Sequence, residues 1–296
     1  MRRAAIDVGT HSVRLLVADV QDGTVRPVLR RLEVTRLGEG VDRTGLLLPQ
    51  AIGRTVRAVR AFWRLAEQAG AERVTVVGTS AVREAANRFT LMRDLRPIQL
   101  RVLSGEEEAE LGYRGVRAGL PGVADPLVVD VGGGSTELVC GSGDQVRYRV
   151  SLPVGSVRLT ERYLHADPPT DVEVHAARQE VAECLRPHRQ SLTGPRVAVG
   201  VGGTVTSVAA VDLSLHPYDP DRVHGHRLPA PRLRSLARGL CTMPLALRRC
   251  LPGLLPERAD VICGGAVVLE TVVEVLQLAE VVASEADLLW GVILHL

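Results

Sequence analysis

The sequence predicts an α/β protein made of two homologous lobes that face a cleft. Strand patterns alternate with helix patterns along most of the chain, which is typical of α/β sheets. A shift of 123 positions, which is 130 minus 7, superposes Ile6–Gly9 on Val129–Gly132 and indicates a duplicated strand-turn-strand. Glycine, proline and small residues dominate 119–126, a natural boundary between lobes. We therefore expect one lobe over 1–124 and the other over 125–296.

The first half of the chain begins with a β ribbon and continues with alternating helices and strands. Two strands flank a Gly-Thr-His-Ser turn within residues 4–20, and a further β pattern covers Val28–Val34. Apolar residues at helical spacing then alternate with short β-branched runs. These patterns predict a helix over Pro49–Ala69, a strand over Arg73–Gly78, a helix over Ser80–Leu95, a strand over Leu100–Val102 and a helix over Ser104–Val116.

The second half repeats the opening pattern and ends in apolar helices. A glycine-rich segment at Val199–Thr206 leads into a helical pattern over Ser207–Leu213. Two apolar helical patterns follow, over Ala259–Leu278 and Ala286–Leu296. We expect these helices either to complete the core of the second lobe or to form a surface for a partner.

The composition is that of a globular protein with ordinary cores. The 296 residues are 46% apolar and 24% charged, which suits two domains. All 36 basic residues are arginine, but the net charge is only +2, so the charge balance does not indicate nucleic acid or a membrane surface as a partner.

The cysteines and the N-terminus favour the cytoplasm. The five cysteines are odd in number and lack a C-x-x-C pair, which fits a reducing compartment. They are Cys140, Cys184, Cys241, Cys250 and Cys263. The strand pattern begins at Ala4, which leaves no room for a signal peptide, and no uncharged run approaches the length of a membrane span.

Three glycine-rich turns predict a phosphate-binding site. Asp7–Thr10 and Asp130–Thr136 each place a carboxylate at a strand end, beside a turn whose N–H groups can cradle phosphate oxygens. Val199–Thr206 supplies a further helix N-terminus for an anion. One such turn alone would be an ordinary β-hairpin, whereas three in one chain favour a phosphate or nucleotide site. The candidate phosphate-binding residues are Gly9, Thr10, His11, Ser12, Gly132, Gly133, Gly134, Ser135, Thr136, Gly202, Gly203 and Thr204.

Glu108 is the candidate general base. Ser104–Glu107 has the form of a capping box, in which Glu107 reaches back to the N-cap backbone and so has a structural role. Glu108 follows it and shares a helix face with Leu111 and Gly112. In phosphoanhydride hydrolysis a carboxylate orients water for in-line attack. The alternative is a solvated acidic first turn that the helix dipole favours.

Further candidates carry charges near the glycine turns. Glu137 lies two residues after Ser135 on the same strand face, where it either holds a second metal or the attacking water, or faces solvent. Arg83, in the first turn of its predicted helix, either binds phosphate or forms an ion pair with a neighbour such as Glu84 or with a more distant acid. Arg14 is a weaker phosphate-binding candidate of the same kind.

Eight segments of the chain together resemble a known family. They are AIDVGTHSVRLLVAD at 5–19, GTSAVREAANR at 78–88, SGEEEAELGYRGV at 104–116, DVGGGSTELV at 130–139, SLPVGSVRLTE at 151–161, GVGGTVTSVAA at 200–210, YDPDRVHG at 218–225 and RADVICGGAVVLE at 258–270. The set resembles the exopolyphosphatase and guanosine pentaphosphate phosphohydrolase (Ppx/GppA) family, a branch of the actin, sugar kinase and heat-shock ATPase superfamily. The resemblance implies duplicated actin-like, ribonuclease H-like lobes around an interdomain cleft, in the short form without added C-terminal helical domains.

The resemblance also implies roles for single residues. Glu108 is implied as the water-activating residue, and Glu137 as a second acidic active-site residue. Mg²⁺ or Mn²⁺ is the implied cofactor, with Asp7, Asp130 and Glu137 as its ligands, and a homodimer is the implied assembly. His11 stands where the family usually has asparagine, and it either donates to phosphate in a pH-dependent way or points to solvent.

Two remaining features receive structural roles. His224 and His226 lack a nearby third ligand, so a supporting contact is expected of them rather than a zinc site. Asp287, near Trp290, is expected to pack before the last helix.

Two hypotheses for the reaction follow from the resemblance, and both use the same chemistry. The first is hydrolysis of the terminal phosphoanhydride of inorganic polyphosphate with release of orthophosphate, and the second is hydrolysis of guanosine pentaphosphate to the tetraphosphate. A nucleotide-driven actin-like scaffold, a sugar kinase and an alarmone-binding regulator are alternatives of other classes. The glutamate-rich helix start argues against the scaffold, and the retained acids argue against the regulator.

Overall fold

The computed structural model describes residues 1–192, 194 and 197–295, which form two compact units. The first unit comprises Met1–Gly119 with Ala286–Leu296, and the second comprises Leu120–Glu285. The lobe predicted over 125–296 and the predicted final helix also include positions that lie outside the described residues. These positions are Thr193, Pro195, Arg196 and Leu296.

The strands are numbered in chain order. They are β1 (Arg2–Val8), β2 (Ser12–Gln21), β3 (Thr24–Val34), β4 (Arg73–Gly78), β5 (Leu100–Val102), β6 (Pro126–Val131), β7 (Thr136–Ser142), β8 (Gln145–Leu152), β9 (Val197–Val201), β10 (Arg227–Pro229) and β11 (Glu280–Ala283).

The helices are numbered in the same way. They are α1 (Val41–Thr44), α2 (Pro49–Gln68), α3 (Ser80–Glu84), α4 (Arg88–Leu95), α5 (Gly105–Gly119), α6 (Ser156–Tyr163), α7 (Asp171–Leu185), α8 (Arg189–Leu192), α9 (Gly202–Asp212), α10 (Pro220–Val223), α11 (Ala230–Thr242), α12 (Leu245–Arg248), α13 (Ile262–Val275) and α14 (Leu288–His295), with short 3₁₀ turns at Arg186–His188 and Pro256–Arg258. Within the described ranges, none of these helices combines the length and the hydropathy that a membrane crossing requires.

The first unit is built on a five-stranded sheet with the order β3-β2-β1-β4-β5. β1 pairs antiparallel with β2 and parallel with β4. Alternate side chains of β1 enter two different cores, since Ala4 and Ile6 pack with residues of α2 and α4, whereas Ala5 packs with residues of α5 and α14. Both faces of the sheet are therefore covered, as expected for an α/β unit.

The second unit repeats this topology. Its six-stranded sheet has the order β10-β11-β9-β6-β7-β8, in which β6 pairs antiparallel with β7 and parallel with β9. The series β8-β7-β6-β9-β11 thus has the order and the strand directions of β3-β2-β1-β4-β5, and β10 is an additional edge strand. The α/β class and the duplication predicted from the sequence are confirmed.

Two predicted helices differ from the structure by more than one helical turn. The helix predicted over Ser80–Leu95 is divided into α3 and α4. The side chain of Asn87, between them, exchanges hydrogen bonds of 2.8 and 2.9 Å with the backbone of Leu47, which holds the connection out of helical geometry. The helix predicted from Ser207 begins at Gly202 as α9, so the third glycine segment forms its first turn.

The last helix packs on the first unit, which corrects the expectation that it would complete the second lobe or form a partner surface. α14 and α5 approach closely through two glycines. A Cβ atom on Gly291 would lie 1.9 Å from the carbonyl oxygen of Leu111, and one on Gly115 would lie 1.9 Å from that of Asp287. Since no side chain fits at either position, these glycines allow α14 to cover the sheet, and the second unit ends at Glu285.

Candidate active site

The first glycine turn connects β1 to β2 and is held from its carbonyl side. Gly9 donates its N–H to the carbonyl oxygen of Ser12 at 3.0 Å. The carbonyl oxygens of Thr10 and His11 accept hydrogen bonds of 2.8 to 3.1 Å from backbone N–H groups of residues 35–38. His11 is only 6% exposed, so the solvent-facing alternative for this side chain is wrong.

The second glycine turn, between β6 and β7, repeats this geometry. Gly132 donates its N–H to the carbonyl oxygen of Ser135 at 3.0 Å. The carbonyl oxygens of Gly132 and Gly133 accept from backbone N–H groups at the start of α6, and that of Gly134 accepts from Nε of the buried Arg158 at 2.7 Å. Within the described part of the chain, the N–H groups of Gly133 and Gly134 have no acceptor, so they are available to an anion.

The two hydroxyl groups of the second turn have different surroundings. Thr136 is fully buried and donates from Oγ1 to the carbonyl oxygen of Val154 at 2.7 Å, so its hydroxyl stabilises the turn rather than facing a ligand. The Ser135 hydroxyl makes no hydrogen bond among the residues that the structure describes. Ser135 is therefore the hydroxyl donor that this turn offers to phosphate.

The third glycine segment forms the N-terminus of α9 and lies against two charged side chains. Gly202 has a φ of +83°, and a Cβ atom there would lie 2.5 Å from Oδ1 of Asp130. A Cβ atom on Gly203 would lie 1.7 Å from Nη1 of Arg258. Thr204 follows and is buried. The glycines thus allow a carboxylate and a guanidinium to contact the start of this helix, where backbone N–H groups gather.

Asp130 and Glu137 lie directly opposite each other on β6 and β7. Opposite residues of an antiparallel pair project from the same face of the sheet. Glu137 is 2% exposed and accepts a hydrogen bond of 2.7 Å from Oγ of Ser151, so the solvent-facing alternative is wrong for this residue too. Two carboxylates on one face form a negatively charged site that suits a divalent cation.

Arg83 and Glu108 form an ion pair in the first unit. Nη1 of Arg83 donates to Oε2 of Glu108 at 2.9 Å and to the carbonyl oxygen of Leu103 at 3.1 Å. The ion-pair partner of Arg83 is thus the distant Glu108 and not Glu84, which accepts a hydrogen bond from Ser80. Phosphate binding by Arg83 stays a prediction. The candidate base is only 9% exposed, and the arginine fixes one of its oxygens.

The predicted capping box before Glu108 is confirmed. The N–H of Ser104 donates to Oε2 of Glu107 at 2.8 Å, and the N–H of Glu107 donates to Oγ of Ser104 at 3.1 Å. The Ser104 N–H and then the Arg101 guanidinium lower the pKa of Glu107 from its ordinary value. The Glu107 side chain therefore caps the start of α5, as the sequence predicted.

Asp7 is held by Arg14, its cross-strand partner. Nε and Nη2 of Arg14 donate to Oδ2 of Asp7 at 3.1 and 2.8 Å, and Nη1 binds Asp287. Burial raises the pKa of Asp7 above its ordinary value; Arg14 opposes this rise and the negative charge of Asp287 adds to it. Arg14, a weak phosphate-binding candidate, therefore pairs with two carboxylates.

The carboxylates fit a divalent cation such as Mg²⁺ in their chemistry. Oδ1 of Asp7 is buried and has no hydrogen-bond partner among the residues that the structure describes. No three His, Cys, Asp or Glu side chains cluster as metal ligands among the described residues. Mg²⁺ takes only one or two carboxylates besides water and substrate phosphates, so it does not require such a cluster.

Sequence analysis missed three charged residues near these features. Arg158 lies under the second turn and Arg258 beside the third, and both belong to family-like segments from which no candidate site residue was selected. Asp287 was expected only to pack, whereas it binds Arg14. His224 and His226 make the expected supporting contacts, with the N–H of Glu285 at 3.2 Å and with Asp212 at 2.8 Å.

A family model and a curated relative match most or all of this chain. A model of the Ppx/GppA phosphatase family matches residues 16–296. Exopolyphosphatase 2 of Mycobacterium tuberculosis is 41% identical over 314 aligned positions, which cover 100% of this chain and 98% of that protein.

Solved structures match over the same extent. The crystal structure of an exopolyphosphatase-like protein is 35% identical with a TM-score of 0.93, covering 99% of this chain and 96% of that chain. The crystal structure of an Aquifex aeolicus member of the Ppx/GppA family is 33% identical with a TM-score of 0.82, over 99% and 96% of the two chains.

Proposed function

Because the chain belongs to the Ppx/GppA phosphatase family, we propose that it is an exopolyphosphatase, which hydrolyses the terminal phosphoanhydride of inorganic polyphosphate and releases orthophosphate. The observation that carries the proposal is the 41% identity to exopolyphosphatase 2 over the whole chain. The available N–H groups of the second glycine turn support it, since such groups bind phosphate oxygens.

Glu108 orients and deprotonates the attacking water in this proposal. Its burial and its place at the start of α5 support the role, because a carboxylate held in one position can orient a single water for attack. Arg83 holds Oε2 of Glu108 at 2.9 Å and so fixes the orientation of the carboxylate that would contact the water. In this proposal Arg83 stays paired with Glu108, and its positive charge attracts the phosphate.

The glycine turns bind the phosphate chain in this proposal. The second turn contributes the N–H groups of Gly133 and Gly134 and the hydroxyl of Ser135, while Gly132 and Thr136 hold its shape. The other proposed contacts come from Gly9, Thr10, His11, Ser12, Gly202, Gly203 and Thr204.

Mg²⁺ or Mn²⁺ is the proposed cofactor, and its candidate ligands are Asp7, Asp130 and Glu137, of which one or two would hold a given ion. When bound, the ion neutralises charge on the phosphoryl oxygens. The protein's own contribution is the half-buried carboxylate of Asp130 on β6, the buried one of Glu137 on β7, and Oδ1 of Asp7, which has no hydrogen-bond partner among the described residues. A cytoplasmic homodimer without a nucleic-acid or membrane partner completes the proposal; sedimentation velocity tests the assembly.

The test measures orthophosphate release in Mg²⁺ from polyphosphate, guanosine pentaphosphate and ATP. We expect rapid release from polyphosphate by the wild type and a loss of about a hundredfold or more in Glu108→Gln. Glu110→Gln is the matched control, because Glu110 lies on the same helix and pairs with Arg114 on its surface. Faster release from guanosine pentaphosphate would favour the second hypothesis, and no release from any of the three would overturn the proposed function.

A further inference from the structure

The strands β1 and β2 carry a second arginine–aspartate pair that serves as a reference for Arg14 and Asp7. Arg2 and Asp19 also face each other across these strands. In that pair, Nε and Nη2 of the arginine bind separate carboxylate oxygens, at 2.8 and 2.9 Å. This two-point fork is the usual geometry of arginine with a carboxylate.

The Arg14 guanidinium meets Asp7 differently. Its Nε and Nη2 both contact Oδ2 of Asp7, at 3.1 and 2.8 Å, and neither contacts Oδ1. Oδ1 is buried and, within the described part of the chain, has no hydrogen-bond partner. The remaining nitrogen of the guanidinium, Nη1, binds Oδ2 of Asp287. Nη1 of Arg2 instead donates to the carbonyl oxygen of Ala69 at 2.8 Å, so a second carboxylate on Nη1 distinguishes the pair of Arg14 and Asp7 from that of Arg2 and Asp19.

Asp287 is fixed at both of its oxygens. Oδ1 accepts the N–H of Leu289 at 3.0 Å in the first turn of α14, and Oδ2 binds Arg14. Its side chain is only 9% exposed. The close approach of α14 to α5 at Gly115 and Gly291 fixes the backbone that carries it.

We propose that Asp287 is a positioning residue for a divalent-cation ligand. By holding Nη1 of Arg14, it keeps the guanidinium on Oδ2 of Asp7 and leaves Oδ1 for the cation. The three ionised side chains have a formal charge of −1, from −1 + 1 − 1, which attracts a cation. Without Asp287 the remaining pair is neutral, and Arg14 is free to form the fork seen at Arg2 and Asp19. The inference rests on the proposed metal role of Asp7.

The test is a titration of the full-length protein with Mn²⁺, followed by electron paramagnetic resonance of the free ion. Asp7→Asn defines which part of the binding belongs to this site. We expect Asp287→Asn to bind Mn²⁺ there about tenfold more weakly or worse, because residues that orient a metal ligand have effects of this size. Asp287→Glu should recover part of the affinity, and Asp19→Asn, the matched control, should bind as the wild type does.

Circular dichroism melting shows whether each variant is folded. If Asp287→Asn is not folded, Asp287→Ser replaces it, since a serine hydroxyl still accepts the helix N–H but cannot pair with Arg14. Affinity of the folded variant within twofold of the wild type would overturn the inference, as would an equal loss in Asp19→Asn or a wild type that binds no Mn²⁺. A protein that binds Mn²⁺ in the expected order but releases no orthophosphate would support this inference and refute the proposed function.

Discussion

The two copies of the glycine turn share a backbone but differ in charge. In the first copy, Asp7 near the end of β1 faces Arg14. In the second copy, the equivalent Asp130 near the end of β6 faces Glu137. Arg14 and Glu137 occupy equivalent positions of the two copies, because the shift of 123 positions that superposes the copies carries 14 to 137. The first copy thus balances its aspartate with a cation, whereas the second places two carboxylates side by side.

The backbone of the turn was retained in both copies. The hydrogen bond from the first glycine to the serine carbonyl is 3.0 Å in each, from Gly9 to Ser12 and from Gly132 to Ser135. This bond joins backbone groups only, so the side chains beside the turn can differ in type between the two copies. The second turn thus offers two carboxylates to a cation, whereas the first offers one that Arg14 already binds.

The largest expected effect comes from giving the second copy the charge pattern of the first. Glu137→Arg should reduce orthophosphate release from polyphosphate by about 10²–10³-fold, because it places a cation opposite Asp130 where the proposed metal would bind. Release is measured in saturating Mg²⁺. Glu137→Gln is the control, because it removes the negative charge without adding a cation or a larger side chain. Melting curves verify that each variant is folded. A folded Glu137→Arg variant with more than a tenth of the wild-type rate would contradict the comparison.

The second effect concerns the cation of the first copy. Arg14→Met leaves Asp7 and Asp287 buried together, so it should lower the free energy of unfolding at pH 7 by about 3 kcal/mol. The pKa of Asp7 is already raised in the folded protein, and the variant lacks the arginine that opposes this rise. Such a carboxyl group stabilises the fold below its unfolded pKa of about 3.9 and loses this contribution as the pH rises through its folded pKa.

The difference between Arg14→Met and the wild type should therefore shrink as the pH falls from 7 towards 4. Urea unfolding at several pH values measures it. Arg14→Met combined with Asp7→Asn is the control, because the amide does not titrate. A deficit that is the same at every pH would show that the buried carboxyl groups are not its cause.

The smallest expected effect concerns the hydroxyl that only the second copy has. Thr136 is equivalent to Val13 of the first copy, since 13 plus 123 is 136. Thr136→Val should lower the free energy of unfolding by about 1–2 kcal/mol, because the carbonyl oxygen of Val154 loses its hydrogen bond. Urea unfolding measures the change, and Thr136→Ser, which keeps a hydroxyl, should lose less. Equal losses in the two variants would assign the effect to packing.

Predictions from short spacings were confirmed where the interaction is local. The capping box of Ser104 and Glu107 spans three residues, so the sequence alone contained it. The interruption between α3 and α4 was missed because it depends on Asn87 and Leu47, which are 40 residues apart. Likewise the sequence allowed several partners for Arg83, and only the fold selected Glu108.

The sequence by itself determined the α/β class, the duplication and the glycine turns, because strand alternation, helical spacing and a repeated motif are properties of neighbouring residues. The tertiary structure alone decided that α14 packs on the first unit and that Asp287 meets Arg14, 273 residues earlier in the chain. Contacts over such a separation depend on how closely two helices approach. Here that approach requires Gly115 and Gly291 to face each other's helices, which no spacing within either segment specifies.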